Sequence, residues 1–189
     1  MLDSLLHLDQ ELFLYLNGLG SEVWDPFWLL VSNKWSSIPL YLLLFIFLYR
    51  ICDRREFIML LLTIAVLITC TDQVSNLAKN SFDRLRPCYE PAIAGMVRLV
   101  KDGCGYHYGY FSAHSANSFG LAFFISYLFG RGRGMLVILL FLWACLVSFS
   151  RIYVGVHYPL DVLSGAAAGS LIGWGIARFF LFVKKKLIP

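Results

Sequence analysis

Charged side chains are scarce in this sequence of 189 residues. Asp, Glu, Lys and Arg together make up 15% of it, against about 25% in soluble globular domains. Hydrophobic residues make up 59%, which is above the roughly 45–50% of such domains. This composition argues against a soluble globular protein and predicts a membrane protein. At this length we expect a single domain with at most a short appendage.

Features of metal and nucleic-acid sites are also missing. The five cysteines show no CxxC pair or other metal-ligand spacing. Asp72, Asp83 and Asp161 are outnumbered by nearby basic residues, so they form no carboxylate cage for a divalent cation. The net charge of +4 comes from basic residues beside hydrophobic runs, unlike a nucleic-acid-binding surface. We therefore expect no metal, no cofactor and no nucleic acid, and a lipid bilayer as the partner.

Long hydrophobic runs are what the sequence does contain. Four runs have the length of membrane helices of about 20 residues, at approximately 57–79, 112–129, 134–154 and 158–183. A fifth, at about 35–51, is shorter, but Trp35 and Tyr49 at its ends favour the two membrane interfaces. The predicted fold class is an all-α, polytopic membrane helix bundle with five to six transmembrane helices.

The remaining segments complete the predicted organisation. Residues 1–33 place leucines at helical spacing opposite polar residues, an amphipathic pattern that predicts a helix lying on the membrane surface, with a sixth crossing as the alternative. Residues 34–189 hold the transmembrane domain, with one long loop at 80–111. The short loops and the C-terminal tail carry Arg and Lys on one face, which the positive-inside rule places in the cytoplasm. The C-terminus is then cytoplasmic and the long loop periplasmic.

Polar residues gather at the run ends that this topology places on the outer face. "TDQVSNLAKNSFDRLRP" ends the second run, "FSAH" begins the third, and "SFSRIYVGVHYPLD" joins the fourth to the fifth. Lys79, Arg86 and Arg151 bring three cations there, and two helix starts add free backbone N–H groups. Such groups suit a phosphate dianion, and the cations would supply the charge that a metal supplies in other phosphoryl-transfer sites.

Two histidines complete the predicted site. His157 and Asp161 are four residues apart, close enough for the carboxylate to hold one imidazole nitrogen while the other attacks phosphorus. His114 lies in the first helical turn after Ser112, where it could give a proton to the leaving oxygen. A single histidine at a membrane interface is usually structural, and the convergence of several ionisable groups is what predicts function.

These segments resemble the three signature motifs of the type 2 phosphatidic acid phosphatase superfamily, which also includes the vanadium haloperoxidases. "KNSFDRLRP" matches K-x6-R-P, "FSAH" is similar to P-S-G-H, and "SRIYVGVHYPLD" matches S-R-x5-H-x3-D. The motifs cover residues 79–161, and the hydrophobic layout extends the resemblance over nearly the whole chain. Phe111 replaces Pro and Ala113 replaces Gly, and neither change touches a reactive group.

The resemblance implies a role for each motif residue. His157 would be the nucleophile that forms a phosphohistidine, Asp161 would orient it, and His114 would be the general acid. The residues expected to bind phosphate, through side chains or backbone N–H groups, are Lys79, Arg86, Ser112, Ala113 and Arg151. Five further polar residues are expected beside the site or in contact with the substrate: Asp72, Arg84, Arg98, Lys101 and Ser150.

The long loop contains Cys88 and Cys104, apart from the hydrophobic runs. If the loop is periplasmic, oxidation is permitted there. We predict a disulfide that holds the loop as a lid over the headgroup site, with Arg98 and Lys101 able to meet a second phosphate. Two free thiols are the alternative, since spacing alone does not settle connectivity.

The predicted activity is that of an integral-membrane lipid phosphatase, independent of metals, at the outer face of the cytoplasmic (inner) membrane. Its substrate would be a membrane phospholipid or an isoprenoid phosphate, with a phosphomonoester or diphosphate headgroup. Undecaprenyl diphosphate is the first choice. Lipid A, phosphatidylglycerophosphate and phosphatidate are the alternatives, because the motifs recognise phosphate and not the lipid. A haloperoxidase and a small transporter are remote alternatives, and a transporter would carry its charges along a path at mid-span depth.

Overall fold

The computed structural model describes residues 2–187, which form an all-helical bundle. Within that range seven α-helices follow one another: α1 (Leu2–Gly18), α2 (Asp25–Ser32), α3 (Ile38–Ile51), α4 (Arg54–Phe82), α5 (Ala113–Phe129), α6 (Gly134–Tyr153) and α7 (Pro159–Leu187). Short 3-10 helices lie at Lys34–Ser37, Pro87–Tyr89 and Ala94–Met96. The described residues contain no β-strand, and the predicted all-α fold class is confirmed.

The helix ends follow local sequence signals. The Asp53 carboxylate accepts hydrogen bonds from the N–H groups of Arg55 and Glu56, at 2.8 and 2.9 Å, and so caps the start of α4. Asp83 ends α4 with φ of 47°, in the left-handed region, where Asp is tolerated. Pro159 begins α7, because a first helical turn does not use the N–H that proline lacks.

α5 occupies the centre of the bundle and packs against α4, α6 and α7. Its contact with α7 is close because Gly165, Gly169 and Gly173 line one side of α7. A Cβ atom at Gly169 would overlap the backbone of Ala116, and one at Gly173 would overlap that of Gly120. The small residues therefore serve a contact within the chain, which brings the starts of α5 and α7 side by side.

Three helices within residues 2–187 are long and apolar enough to cross a membrane: α4, α6 and α7. α2 and α3 together give a fourth candidate, bent by 81° at the connection between them. α5 has 17 residues, slightly fewer than the average of about 20 for a membrane span. All five predicted runs are thus helical, whereas the number of crossings stays a prediction.

α1 packs against α6 and α7 with one side only. That side carries Asp9, Phe13 and Asn17, each almost fully buried, whereas Leu8 and Tyr15 are exposed. The Asn17 amide donates hydrogen bonds to backbone carbonyl oxygens at the end of α6. The predicted N-terminal helix is present, and its inward side contains polar groups that brace the end of α6.

Candidate active site

The residues that follow α4 are positioned by backbone hydrogen bonds to the later part of the long loop. The Arg86 N–H donates to the His107 carbonyl oxygen at 3.2 Å, and the Gly109 N–H donates to that of Arg84 at 2.8 Å. The Arg86 guanidinium donates to the Cys104 carbonyl oxygen at 2.9 Å. Neutral backbone groups therefore hold this buried side chain, and its positive charge remains available to an anion.

The start of α5 is tied to the start of α7. The Ser112 hydroxyl oxygen accepts a hydrogen bond from the Ser115 N–H at 3.4 Å and caps the helix, as predicted. The Ser112 N–H donates to the Asp161 carbonyl oxygen at 3.0 Å. Ala113 and His114 follow in the first turn of α5, where the positive end of the helix dipole favours an anion.

Arg151 lies in the last turn of α6 with only 4% of its surface exposed. One terminal nitrogen donates to Ser32, at the end of α2. Its Nε atom is buried, and among residues 2–187 it has no hydrogen-bond partner. Within that range no carboxylate pairs with this guanidinium either. A buried cation with an open donor is a place where an anion would be stabilised.

A tight turn connects α6 to α7 and carries His157. Gly155 adopts a positive φ of 85°, and a Cβ atom there would lie 2.8 Å from the Arg98 carbonyl oxygen. The His157 N–H donates to the Arg151 carbonyl oxygen at 3.3 Å. The backbone of the predicted nucleophile is therefore anchored to that of a predicted phosphate-binding residue.

His157 and Asp161 form the predicted pair, with 2% and 0% of their surfaces exposed. Nδ1 of His157 lies 3.4 Å from Oδ2 of Asp161, which also accepts from the Tyr158 N–H at 3.0 Å. The Arg84 guanidinium donates to Oδ1 of Asp161 at 2.7 Å. A carboxylate at Nδ1 favours the tautomer with its proton on Nδ1 and its lone pair on Nε2. The pair thus presents a neutral nitrogen with a free lone pair, which is what the predicted nucleophile requires.

Asp9 of α1 extends this network and was not found by sequence analysis. Its Oδ2 accepts from Arg84 at 2.5 Å, and its Oδ1 accepts from the Leu160 N–H at 2.9 Å. The N-terminal helix therefore holds both the guanidinium that contacts Asp161 and the first turn of α7. The available signal was the spacing of Asp9 with Phe13 and Asn17, which puts two polar residues on the side of the helix that carries Phe13.

The surroundings of His157 lower its pKa well below the usual value for histidine. Burial is the largest cause, and the positive charges of Arg86, Arg151 and Lys79 add to it. His157 is therefore neutral at pH 7. The pKa of Lys101 is lowered by burial and by the charges of Arg151 and Arg86. Because these cations repel one another, a phosphate dianion among them would be bound strongly.

Two cavities open beside these residues. One of about 470 Å³ is lined by Leu29, Ser32, Asn33, Lys101 and His114. Another of about 470 Å³ is lined by Lys79 together with Asn76, Asn80 and Tyr106. Lys101 is thus brought beside His114, as a substrate contact requires. In the described part of the chain, no group of three or more His, Cys, Asp or Glu side chains is arranged to hold a metal ion.

Two of the predicted residues are engaged elsewhere. Arg98 pairs with Asp25 of α2 at 2.6 Å and lies over the Tyr153 ring, so it fastens the loop to α2. The Ser150 hydroxyl donates to the Val147 carbonyl oxygen at 2.6 Å, inside α6. Both residues thus have partners within the protein, and a contact with the substrate stays a prediction.

The predicted disulfide between Cys88 and Cys104 is present. Their Cα atoms are 6.4 Å apart, within the usual range for such bonds. Since the Cys104 carbonyl oxygen accepts the hydrogen bond from Arg86, the disulfide fastens the loop next to a candidate phosphate-binding residue.

A helical membrane bundle that carries a buried cationic pocket beside two histidines defines a class, the membrane phosphatases. The family profile described as the PAP2 superfamily matches residues 57–185, and the chain belongs to this superfamily. It is a membrane lipid phosphatase.

The chain also resembles individual proteins over most of its length. It is 36% identical over 189 residues to the lipid A 4'-phosphatase of Bacteroides thetaiotaomicron, covering 99% of this chain and 81% of that protein. It is 29% identical over 188 residues to the lipid A 4'-phosphatase of Porphyromonas gingivalis, with coverages of 98% and 78%. The crystal structure of Aquifex aeolicus LpxE superposes with a TM-score of 0.68 at 26% identity, covering 89% of this chain and 93% of that one.

Proposed function

We propose that this protein removes the 4'-phosphate of lipid A or of a closely related phosphoglycolipid. The observation that carries the proposal is its similarity to two lipid A 4'-phosphatases along nearly the whole chain. Undecaprenyl diphosphate, the first choice from the motifs, is not supported by a match of comparable length, since the similarity to an undecaprenyl-diphosphatase covers 16% of the chain. Lipid A, an alternative at that stage, becomes the main proposal.

In the proposed first step, Nε2 of His157 attacks the phosphorus atom. The N–P bond forms while the P–O bond to the sugar breaks, and His114 gives a proton to the departing oxygen, which leaves as an alcohol. Asp161 accepts the Nδ1–H hydrogen bond of His157 and stabilises the positive charge that develops on the ring. The product of this step is a phosphohistidine.

In the second step, His114 takes a proton from a water molecule whose oxygen attacks the phosphorus. The N–P bond breaks, His157 recovers its lone pair, and inorganic phosphate leaves. Throughout, the non-bridging oxygens would be held by Lys79, Arg86 and Arg151, by the Ser112 hydroxyl and by the backbone N–H group of Ala113 in the first turn of α5. These fixed charges act on a dianion in a site of low dielectric, where such interactions are strongest.

We further propose that the site faces the periplasm from the inner membrane and that the C-terminus is cytoplasmic. The Arg and Lys residues of the short connections and the tail support this orientation through the positive-inside rule. The disulfide between Cys88 and Cys104 supports it independently, because such bonds persist in oxidising compartments.

The test is a comparison of four substrates with purified protein in detergent and EDTA. Lipid A with both phosphates, undecaprenyl diphosphate, phosphatidylglycerophosphate and phosphatidate would be supplied at equal concentration, and phosphate release would be followed. We expect the highest kcat/KM with lipid A and a product that mass spectrometry shows to lack the 4'-phosphate. A higher kcat/KM for another lipid, or loss of the 1-phosphate, would reject the proposal.

A further inference from the structure

A third cavity, of about 300 Å³, lies deeper in the bundle than the cations. The residues that give it its chemistry come from five helices or their connections: Asn33, Tyr41, Asp72, His114, Asn117 and Trp143. Along α4, Asp72 precedes Lys79 by seven residues, which corresponds to about 10 Å of helix. The cavity therefore extends from the level of His114 toward the interior of the membrane.

This cavity is connected to the proposed chemistry through His114. His114 and Asn33 line both the third cavity and the cavity that contains Lys101. A general acid must lie beside the oxygen that leaves. Lys79 and Lys101 line the two other cavities, and among the described residues no Lys or Arg side chain lines the third, so the third cavity is where the group attached to that oxygen would be placed.

Asp72 contributes a hydrogen-bond acceptor to the lining of the cavity, which a pocket for a lipid tail would not require. Its Oδ1 accepts from the Asn117 amide at 2.9 Å, and the Asn117 carbonyl oxygen accepts from the Thr71 hydroxyl. Among residues 2–187 the second oxygen of Asp72 accepts no hydrogen bond. A carboxylate inside a membrane protein is costly and is a functional candidate by default. Its open oxygen suits a hydroxyl or amide N–H donor.

Aromatic side chains also contribute to the lining of the cavity. Tyr41 and Trp143 pack edge to face with ring centroids 5.5 Å apart, and both line the cavity. Hydrogen-bonding groups together with aromatic rings suit a sugar ring, which has hydroxyl groups at its edge and C–H groups on its face.

We propose that this cavity, the leaving-group pocket, binds the acylated amino-sugar ring that carries the phosphate, with a hydroxyl or amide group of the ring donating to Asp72. The inference rests on the proposed function, because it assumes a sugar-linked phosphate. It adds the residues that distinguish a sugar leaving group from a glycerol one, a distinction that the phosphate-binding residues do not make.

The experiment compares Asp72→Ala and Asp72→Asn with Gln73→Ala, a neighbour that is exposed and does not line the cavity. Each variant is assayed with lipid A, phosphatidate and p-nitrophenyl phosphate. We expect Asp72→Ala to lower kcat/KM for lipid A about 10- to 100-fold more than for the other two substrates, the usual effect of losing a hydrogen bond to a charged group. The size-matched Asp72→Asn should show a smaller loss in the same order, and Gln73→Ala none.

The possible outcomes test the leaving-group pocket and the proposed function separately. An equal loss with all three substrates in Asp72→Asn, while the wild type prefers lipid A, would overturn the leaving-group pocket and leave the proposed function standing. A wild type that prefers another lipid would reject the proposed function and this inference with it. If Asp72→Ala does not fold, Asp72→Asn and the substrate ratio decide alone.

Discussion

The two histidines of the site lie in opposite kinds of surroundings. His157 is enclosed and held through Asp161 and Arg84 to Asp9 on the N-terminal helix. His114 stands at the start of α5 and lines two cavities. The difference agrees with the two roles that we propose, because a nucleophile must be fixed before the substrate arrives, whereas the acid must admit leaving groups of some size.

The surroundings of His157 contain buried charges of opposite sign that neutralise one another. Arg84 lies between two buried carboxylates, those of Asp9 and Asp161. Removing one member of such a set leaves a buried charge unpaired, which typically costs about 3–5 kcal/mol. We therefore expect the region of His157 to tolerate substitution less well than the region of His114.

The largest effect should follow from His157→Ala. No other described nucleophile lies in its place, so lipid phosphatase activity should fall by a factor on the order of 10⁴ or more, as when other covalent nucleophiles are removed. Steady-state phosphate release and circular dichroism would be measured together. A folded variant with near-normal turnover would contradict the assignment.

His114→Ala should have a smaller effect that depends on the substrate. Loss of proton donation should slow hydrolysis of lipid A by about 10²–10⁴-fold, and much less with p-nitrophenyl phosphate, whose leaving group needs little protonation. The ratio of the two rates is the measurement. The same loss with both substrates would mean that His114 does not act on the leaving oxygen.

Asp9→Ala should lower kcat by about 10- to 100-fold with little change in KM. This range is typical of residues that orient a reactive group without contacting the substrate themselves. Asp9 does not touch the phosphate pocket, so its effect would travel through Arg84 and Asp161. Glu11→Ala, on the exposed side of the same helix, is the control. A rise in KM alone would contradict a role in positioning His157.

The pH profile should report the cations around His157. Because burial and three nearby positive charges lower its pKa, the nucleophile stays neutral below its ordinary pKa of 6.5, and activity should not require pH above that value. In Lys79→Gln one repelling charge is gone, so the pKa of His157 rises and the acid limb of kcat/KM moves to higher pH. An acid limb that moves down or stays fixed would contradict this account.

The smallest effect on turnover should come from Cys104→Ser. Opening a loop whose cysteines are 16 residues apart should destabilise the protein by roughly 3 kcal/mol on the chain-entropy model. The midpoint of thermal unfolding should fall clearly, and kcat by only a few-fold. Cys145→Ser, at an exposed free thiol, is the matched control. Unchanged unfolding in both variants would show that the disulfide does not stabilise the loop.

Local patterns in the sequence predicted the helices and the motif residues, because both depend on neighbours in the chain. Apolar runs gave the helices, and the four-residue spacing of His157 and Asp161 gave their contact. A role for Asp9 was not predicted, because its partner Arg84 is 75 residues away and only the packing of α1 brings them together.

Arg98 is a second residue whose contacts could not be predicted from its neighbours in the sequence. In the sequence it is one more basic residue in a loop near the site, and nothing local distinguishes a phosphate contact from an ion pair. Its partner, Asp25, is 73 residues away on α2. α2 and α3 are bent by 81° at their connection and are a candidate span only when taken together, so the number of membrane crossings did not follow from the lengths of the runs.

The central claim is that His157 carries the phosphoryl group, and the most direct test is to trap it there. In His114→Ala with p-nitrophenyl phosphate, the first step should proceed while water attack is slowed, so the intermediate should accumulate. The reaction would be quenched in alkali, which preserves phosphohistidine, and the peptides would be analysed by mass spectrometry. The account predicts a phosphoryl group on His157, and no such modification when His157→Ala is added. A phosphoryl group on another residue would contradict it.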